Sequence, residues 1–98
     1  MALPERIFVV VVESEGDRDP ERMPLLSRTD AGGARHTPAF SSMLLATTFL
    51  SRAQALGHYV KLDYIFPADG RRVAEDFPEH VIQLDPSPEG FFGRVSGV

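Results

Sequence analysis

The sequence predicts an α/β (α+β) domain in which a mixed β-sheet of about four to five strands carries one long and one short helix. Three observations lead there. Ile7–Val12 is an unbroken apolar run of β-branched and aromatic residues, which suits a strand covered on both faces. Ala46, Phe49, Leu50, Ala53 and Leu56 recur at helical spacing. Tyr59–Phe66 alternates instead, which puts Val60, Leu62, Tyr64 and Phe66 on one face and Lys61 and Asp63 on the other. At 98 residues the chain holds one domain, with a core over 6–92 and a tail over 93–98.

The remaining elements follow in order. After Ile7–Val12, residues Glu13 to Arg22 form a polar loop with five acids against two arginines. Met23–Ser27, with Leu25 at its centre, reads as a second strand that Pro24 confines to an edge or a strand start. Thr29–Gly33 is a turn, because Asp30 supports a local side-chain bond and the glycines accept positive φ. Pro38–Phe40 is a short extended piece. Ser41 or Ser42 caps the long helix over Ser41–Leu56, which turns Phe49 and Leu50 to the sheet, and Gly57 stands at its left-handed C-terminal position. Pro67–Gly70 is a turn that leads either to a returning strand or to a short helix over Arg71–Asp76. The helix is favoured, since Ala, Glu and Asp are poor strand residues and Val73 and Phe77 fall at i, i+4. Pro78 ends it, Val81–Leu84 is the last strand, and Asp85–Gly90 is turn material.

Several chemistries are set aside on residue content. The net charge of −4 disfavours a general nucleic-acid binder, which needs a basic surface. With no cysteine, thiol nucleophiles, disulfides and Cys-ligated metals are excluded. His36, His58 and His80 are spaced evenly by 22 residues, unlike the local pairs that present metal ligands together, so no metal and no cofactor are expected. Ser41 and Ser42 lack the flanking glycines of a nucleophile elbow, and helix capping accounts for them. Asp17/Asp19 and Glu75/Asp76 sit in charged stretches, without the apolar pocket that raises a general acid's pKa. Asp30-Ala31-Gly32-Gly33 has no lysine and opens no helix, so it is a turn and not a phosphate loop. The apolar run Ile7–Val12 is too short to span a membrane and is followed by acids, not by a cleavage site, which leaves the cytoplasm as the expected location.

Apolar residues near the end of the chain ask for a partner. Phe91 and Phe92 trail the last strand in a glycine-containing tail with Val95 and Val98, and they dock either on the domain's own core or on a subunit. Together with Leu25 they are the interface candidates, and a homodimer is the expected assembly, with any other protein partner unidentified.

Met23-Pro24-Leu25-Leu26, a glycine turn, and Pro38-Ala39-Phe40-Ser41-Ser42 entering a helix resemble the N-terminal domain of the bacterial SseB (enhanced serine sensitivity) family. Members carry a Phe-Thr-Ser element that opens a helix and a later Asn-Pro-like turn. Phe40-Ser41-Ser42 and Leu84-Asp85-Pro86 stand in those places, and the resemblance runs over about residues 6 to 92. Ser41 replaces the usual threonine, Asp85 replaces the usual asparagine, and the Pro67–Gly70 turn is unlike the family. The resemblance implies an α/β domain without assigned catalytic residues. With no catalytic constellation, a small core and an apolar tail, the expected function is non-enzymatic, through protein–protein contact in a bacterial cytoplasm. The alternative is a small enzyme or ligand-binding domain whose polar site gathers His36, Ser41, Ser42 and Asp63 near strand ends.

Overall fold

A computed structural model describes residues 3–13 and 24–92. The stretch from 14 to 22, Met23, and the tail from 93 onward, with Val95 and Val98, lie outside the described residues. The elements run β1 (Arg6–Val12), β2 (Arg28–Thr29), β3 (Arg35–Phe40), α1 (Met43–Ala55), β4 (Leu62–Asp69), α2 (Gly70–Asp76), β5 (His80–Leu84) and α3 (Pro88–Phe92). They form one five-stranded mixed sheet with helices on both faces, the α+β architecture expected, plus a third helix.

β1 is central, antiparallel to β4 on one edge and to β3 on the other. β3 takes β5 in parallel register and β2 antiparallel. Asp85 N–H donates to the Ala39 carbonyl at 2.7 Å, so the odd-numbered residues of β3 turn their backbone groups to β5. Pro38 therefore faces the β1 side, where it has no N–H to offer. There the Val10 carbonyl accepts from Leu26 N–H instead, and Val12 N–H donates to the Pro24 carbonyl, each at 2.9 Å. The segment from Pro24 to Thr29 thus enters between β1 and the start of β3. This corrects the expected strand Met23–Ser27 and its edge position: Leu25 makes an isolated bridge to Val11, and the ladder residues are Arg28–Thr29. Pro24 is tolerated because β1 uses its carbonyl.

The alternation of β1 divides the core. Ile7, Val9 and Val11 pack with Leu25, Ala39, Val73 and Phe77 beneath α2. Val10 packs with Phe40, Ala46, Phe49 and Phe91 beneath α1 and α3. The double coverage expected of Ile7–Val12 is found. Ser42 caps α1, its Oγ accepting from Leu45 N–H at 3.1 Å. At the other end Gly57 adopts φ 92°, and His58 N–H closes on the Ala53 carbonyl at 2.9 Å, the bond pattern of a Schellman stop. Phe49 is 2 % exposed and Leu50 is half-buried against the same cluster, as the helical spacing predicts.

β4 departs from its expectation at both ends. A bulge between the Val11–Tyr64 and Val12–Leu62 pairs shifts the register. It turns Val60 toward the α1 face and Phe66 toward the α2 face, so Val60, Leu62, Tyr64 and Phe66 do not share one side. The strand also runs through Pro67–Asp69, which was expected as a turn. Gly70 N–H donates to the Glu5 carbonyl at 3.1 Å, so even-numbered residues face β1 and Pro67 faces the outer edge, where a missing donor does no harm. Asp69 then caps α2 by accepting from Arg71 N–H at 2.9 Å, which settles Arg71–Asp76 as helix. Asp85–Gly90 is not all turn: Pro88 opens α3, with Ser87 Oγ accepting from Gly90 N–H at 3.0 Å.

Phe49 touches the Phe40, Phe91 and Phe92 rings with centroids 5.0–5.8 Å away. Phe49→Ala is expected to cost about 3–5 kcal/mol in denaturant melts; a loss below about 1 kcal/mol would contradict this packing. Gly70 has no space for a side chain, since an added Cβ would strike the Pro4 carbonyl and the Leu3 Cβ. Gly70→Ala should lower the melting temperature by several degrees, the scale of about 1–3 kcal/mol of overpacking; an unchanged melting temperature would show that the chain before β1 moves aside freely.

Candidate functional site

Of the polar side chains singled out in the sequence, His36, His80 and Ser41 lie along the seam between β3 and β5, and each is hydrogen-bonded. His36, on β3, lies with Nε2 2.8 Å from Asp30 Oδ2 and Nδ1 3.0 Å from Gln83 Nε2. The Gln83 amide donates to Nδ1, so Nε2 carries the proton and donates to Asp30. Asp30 Oδ1 also accepts from Gly32 N–H and Ala34 N–H, both at 2.9 Å, which is the Asx-type turn the sequence suggests. One residue along β3, buried Thr37 places Oγ1 2.6 Å from His80 Nδ1 on β5. Past the strand ends, Ser41 donates its N–H and its hydroxyl to the Asp85 carboxylate at 2.9 and 2.7 Å. Asp85 holds φ 51°, a left-handed turn that Asp accepts more readily than most residues.

The four residues of the alternative polar site are not gathered. His36 is the second residue of β3 and Ser41 follows its end, about 16 Å away at ~3.3 Å per residue. Ser42 is committed to the α1 cap. Asp63 is exposed on β4, beyond β1. The histidines are equally separate: His58 lies flat on the Phe92 ring, centroids 4.4 Å apart, with Nε2 buried and unpartnered. Among the described residues no three His, Asp or Glu side chains stand together in a metal-binding arrangement. An open depression of about 670 Å³ is lined by Glu5, Arg6, Pro67, Ala68 and Asp69.

Of the interface candidates, Phe91 (0 % exposed) and Leu25 (8 %) are buried within the protomer itself. Arg28 reinforces this: its Nε donates to the Phe91 carbonyl and its guanidinium lies 5.8 Å from that ring's centroid. Phe92 is half-buried between His58 and Phe49. The self-docking alternative holds for Phe91.

The apolar surface is elsewhere. Met43, Leu44 and Leu45 open α1 at 44, 72 and 43 % exposure, and Val81 and Leu84 are exposed on β5. Leu45 shares a cleft of about 200 Å³ with Asp85 and Pro86, which brings the first turn of α1 to the end of β5. A second groove, about 220 Å³, is lined by Leu50, Gln54, Tyr59, Val60 and Leu62. The Met43–Leu45 turn was legible in the sequence. Successive helical residues are 100° apart, so three large apolar neighbours cannot all face one sheet.

No family model, curated protein or solved structure matches the chain. Among the described residues no helix is long and apolar enough to cross a membrane.

The His36 bond, seconded by the backbone N–H of Ala34, holds the Asp30 carboxyl below its ordinary pKa. A carboxylate depressed in the folded state contributes fully above its unfolded pKa, about 4, and loses that contribution as pH falls through the folded value. Asp30→Asn should therefore lower stability near neutral pH and converge on wild type at the acid end of a pH series of denaturant melts. A constant difference across the whole series would assign the loss to the turn and not to the charge.

Proposed function

We propose that this domain is non-enzymatic and works by contact with another protein, through the apolar rim made by the first turn of α1 and the outer side of β5. The observation that carries the reading is a division of labour among side chains. His36, Thr37 and Ser41 bond Gln83, His80 and Asp85 respectively across the β3–β5 seam, so the groups capable of chemistry are engaged there. Leu44, a large apolar residue on the first turn of α1, stands 72 % exposed, and its neighbour Leu45 shares a cleft with Asp85. Exposed apolar clusters of this kind are costly to keep in water unless something covers them.

The proposal includes membership of the SseB family, as an N-terminal-type domain of the bacterial cytoplasm. Its support is that the two short elements behind the resemblance, Phe40-Ser41-Ser42 and Leu84-Asp85-Pro86, meet through the Ser41–Asp85 bonds.

A photo-crosslinking residue placed at Leu44, in the native cell, tests the contact reading against one placed at Arg72. The Arg72 side chain is 77 % exposed on α2. Discrete protein adducts from position 44 and none from 72 are expected. Equal labelling from both positions, or none from 44, would remove the rim from the function.

A further inference from the structure

We infer that the outer edge of β5 pairs with β5 of a second copy of this chain, antiparallel about a twofold axis at Gln83, so that two sheets become one. This rests on the contact reading and names its partner.

The argument begins with backbone groups. In the parallel ladder, Thr37 and Ala39 of β3 stand beside Ile82 and Leu84. The β3 residues bond to the neighbours of those two positions, as Asp85 N–H to the Ala39 carbonyl shows. The N–H and C=O of Ile82 and of Leu84 therefore point away from the sheet. The flanks close the edge on both sides: His80 N–H is already donated to the Phe77 carbonyl at 3.0 Å, and Pro86 has no N–H.

No Lys, Arg, Asp, Glu or Pro interrupts His80–Leu84, and Val81 and Leu84 are 46 and 39 % exposed. The opposite edge of the sheet is guarded. β4 carries a bulge beside Asp63, an outward Pro67 and Asp69 at its end. Charges, prolines and bulges are the devices by which edge strands avoid pairing, and β5 has none of them.

The register selects itself. With the axis at Gln83, Ile82 N–H meets the Leu84 carbonyl of the second copy, Leu84 N–H meets the Ile82 carbonyl, and symmetry repeats both. Every outward group of these two residues is then satisfied, and each Ile82 side chain lies beside a Leu84. His80 falls opposite Pro86, where neither residue offers a free N–H. Moving the axis to Ile82 sets Glu79 opposite Asp85 and turns the Leu84 carbonyl toward the committed His80 N–H. Moving it to Val81 leaves only Ile82 N–H as a donor. Strand pairing alone buries less than the ~1,200 Å² typical of a stable interface, so the adjoining Met43–Leu45 turn supplies further apolar area.

Sedimentation at about 100 µM, a Kd range within reach of a modest homodimer, is the first measurement. A dimer is expected, and Leu84→Lys should raise its dissociation constant at least tenfold. The chain has no cysteine, so Gln83→Cys introduces a unique thiol. At the axis the paired Cα atoms are about 4.5 Å apart, within disulfide reach. Mild oxidation should link Gln83→Cys subunits and leave Ser51→Cys subunits, substituted on the exposed side of α1, unlinked. A wild-type monomer overturns the inference, and so does a dimer that neither weakens with Leu84→Lys nor links through position 83. A monomer that still gives position-44 adducts with other proteins leaves the contact reading standing, whereas loss of those adducts removes the contact reading itself.

Discussion

The absent N–H of Pro38 is the constraint on which the arrangement of this sheet depends. β3 has one edge given wholly to β5 and another shared between β1 and β2. It is shared because the ladder with β1 cannot continue past a residue without a donor. The unfilled Val10 carbonyl is taken by Leu26, which draws the chain from Pro24 to Thr29 into the gap. Leu25 is thereby carried into the core beneath α2, and Arg28 is placed to hold the Phe91 carbonyl. One missing hydrogen thus decides where the second strand begins and how the end of the described chain is fastened.

The same economy of hydrogen bonds accounts for the side chains at the β3–β5 seam. β5 has a sheet neighbour on one edge, so side-chain bonds add to its attachment: Gln83 to His36, His80 to Thr37, Asp85 to Ser41. Thr37 is 1 % exposed, and a buried hydroxyl without a partner would cost about 1–3 kcal/mol. Histidine, serine and aspartate here satisfy and align one another.

The aromatic cluster on the α1 face closes the fold from the other end of the chain. Phe40, Phe49, Phe91 and Phe92 form successive ring contacts with centroids 4.9–5.8 Å apart. Arg52 Nη2 donates to both Glu89 carboxylate oxygens at 2.7 and 3.0 Å, an exposed pair that orients α3 on α1 more than it stabilises the fold. With Phe91 used internally, the exposed apolar surface among the described residues includes the first turn of α1, Val81 and Leu84 of β5, and the groove beside Tyr59.

Local physics determined a good part of this protein from its sequence. The β-branched run at Ile7–Val12, the Ser42 cap, the Gly57 stop and the Asp30 turn each depend on neighbours a few residues away, and each is where the sequence places it. Ala74, Glu75 and Asp76, poor strand residues, favoured helix over strand for Arg71–Asp76, and Val73 and Phe77, four residues apart, face the core together. Ser87-Pro88 was a legible start for α3, since a serine cap before a first-turn proline is a local signal. Val81–Leu84 is strand as the sequence reads, whereas the positions of β2 and the bounds of β4 were decided only in three dimensions. The bulge that flips Tyr64 against Leu62 answers to the register with β1, and Pro67 is a strand residue only because its nitrogen falls on the outer edge. His36, Ser41 and Asp63 read as a site in one dimension because residue type suggests chemistry. The packed sheet gave His36 and Ser41 different partners and set Asp63 exposed on β4, because hydrogen-bonding groups near a core must be satisfied by whatever the tertiary structure sets beside them.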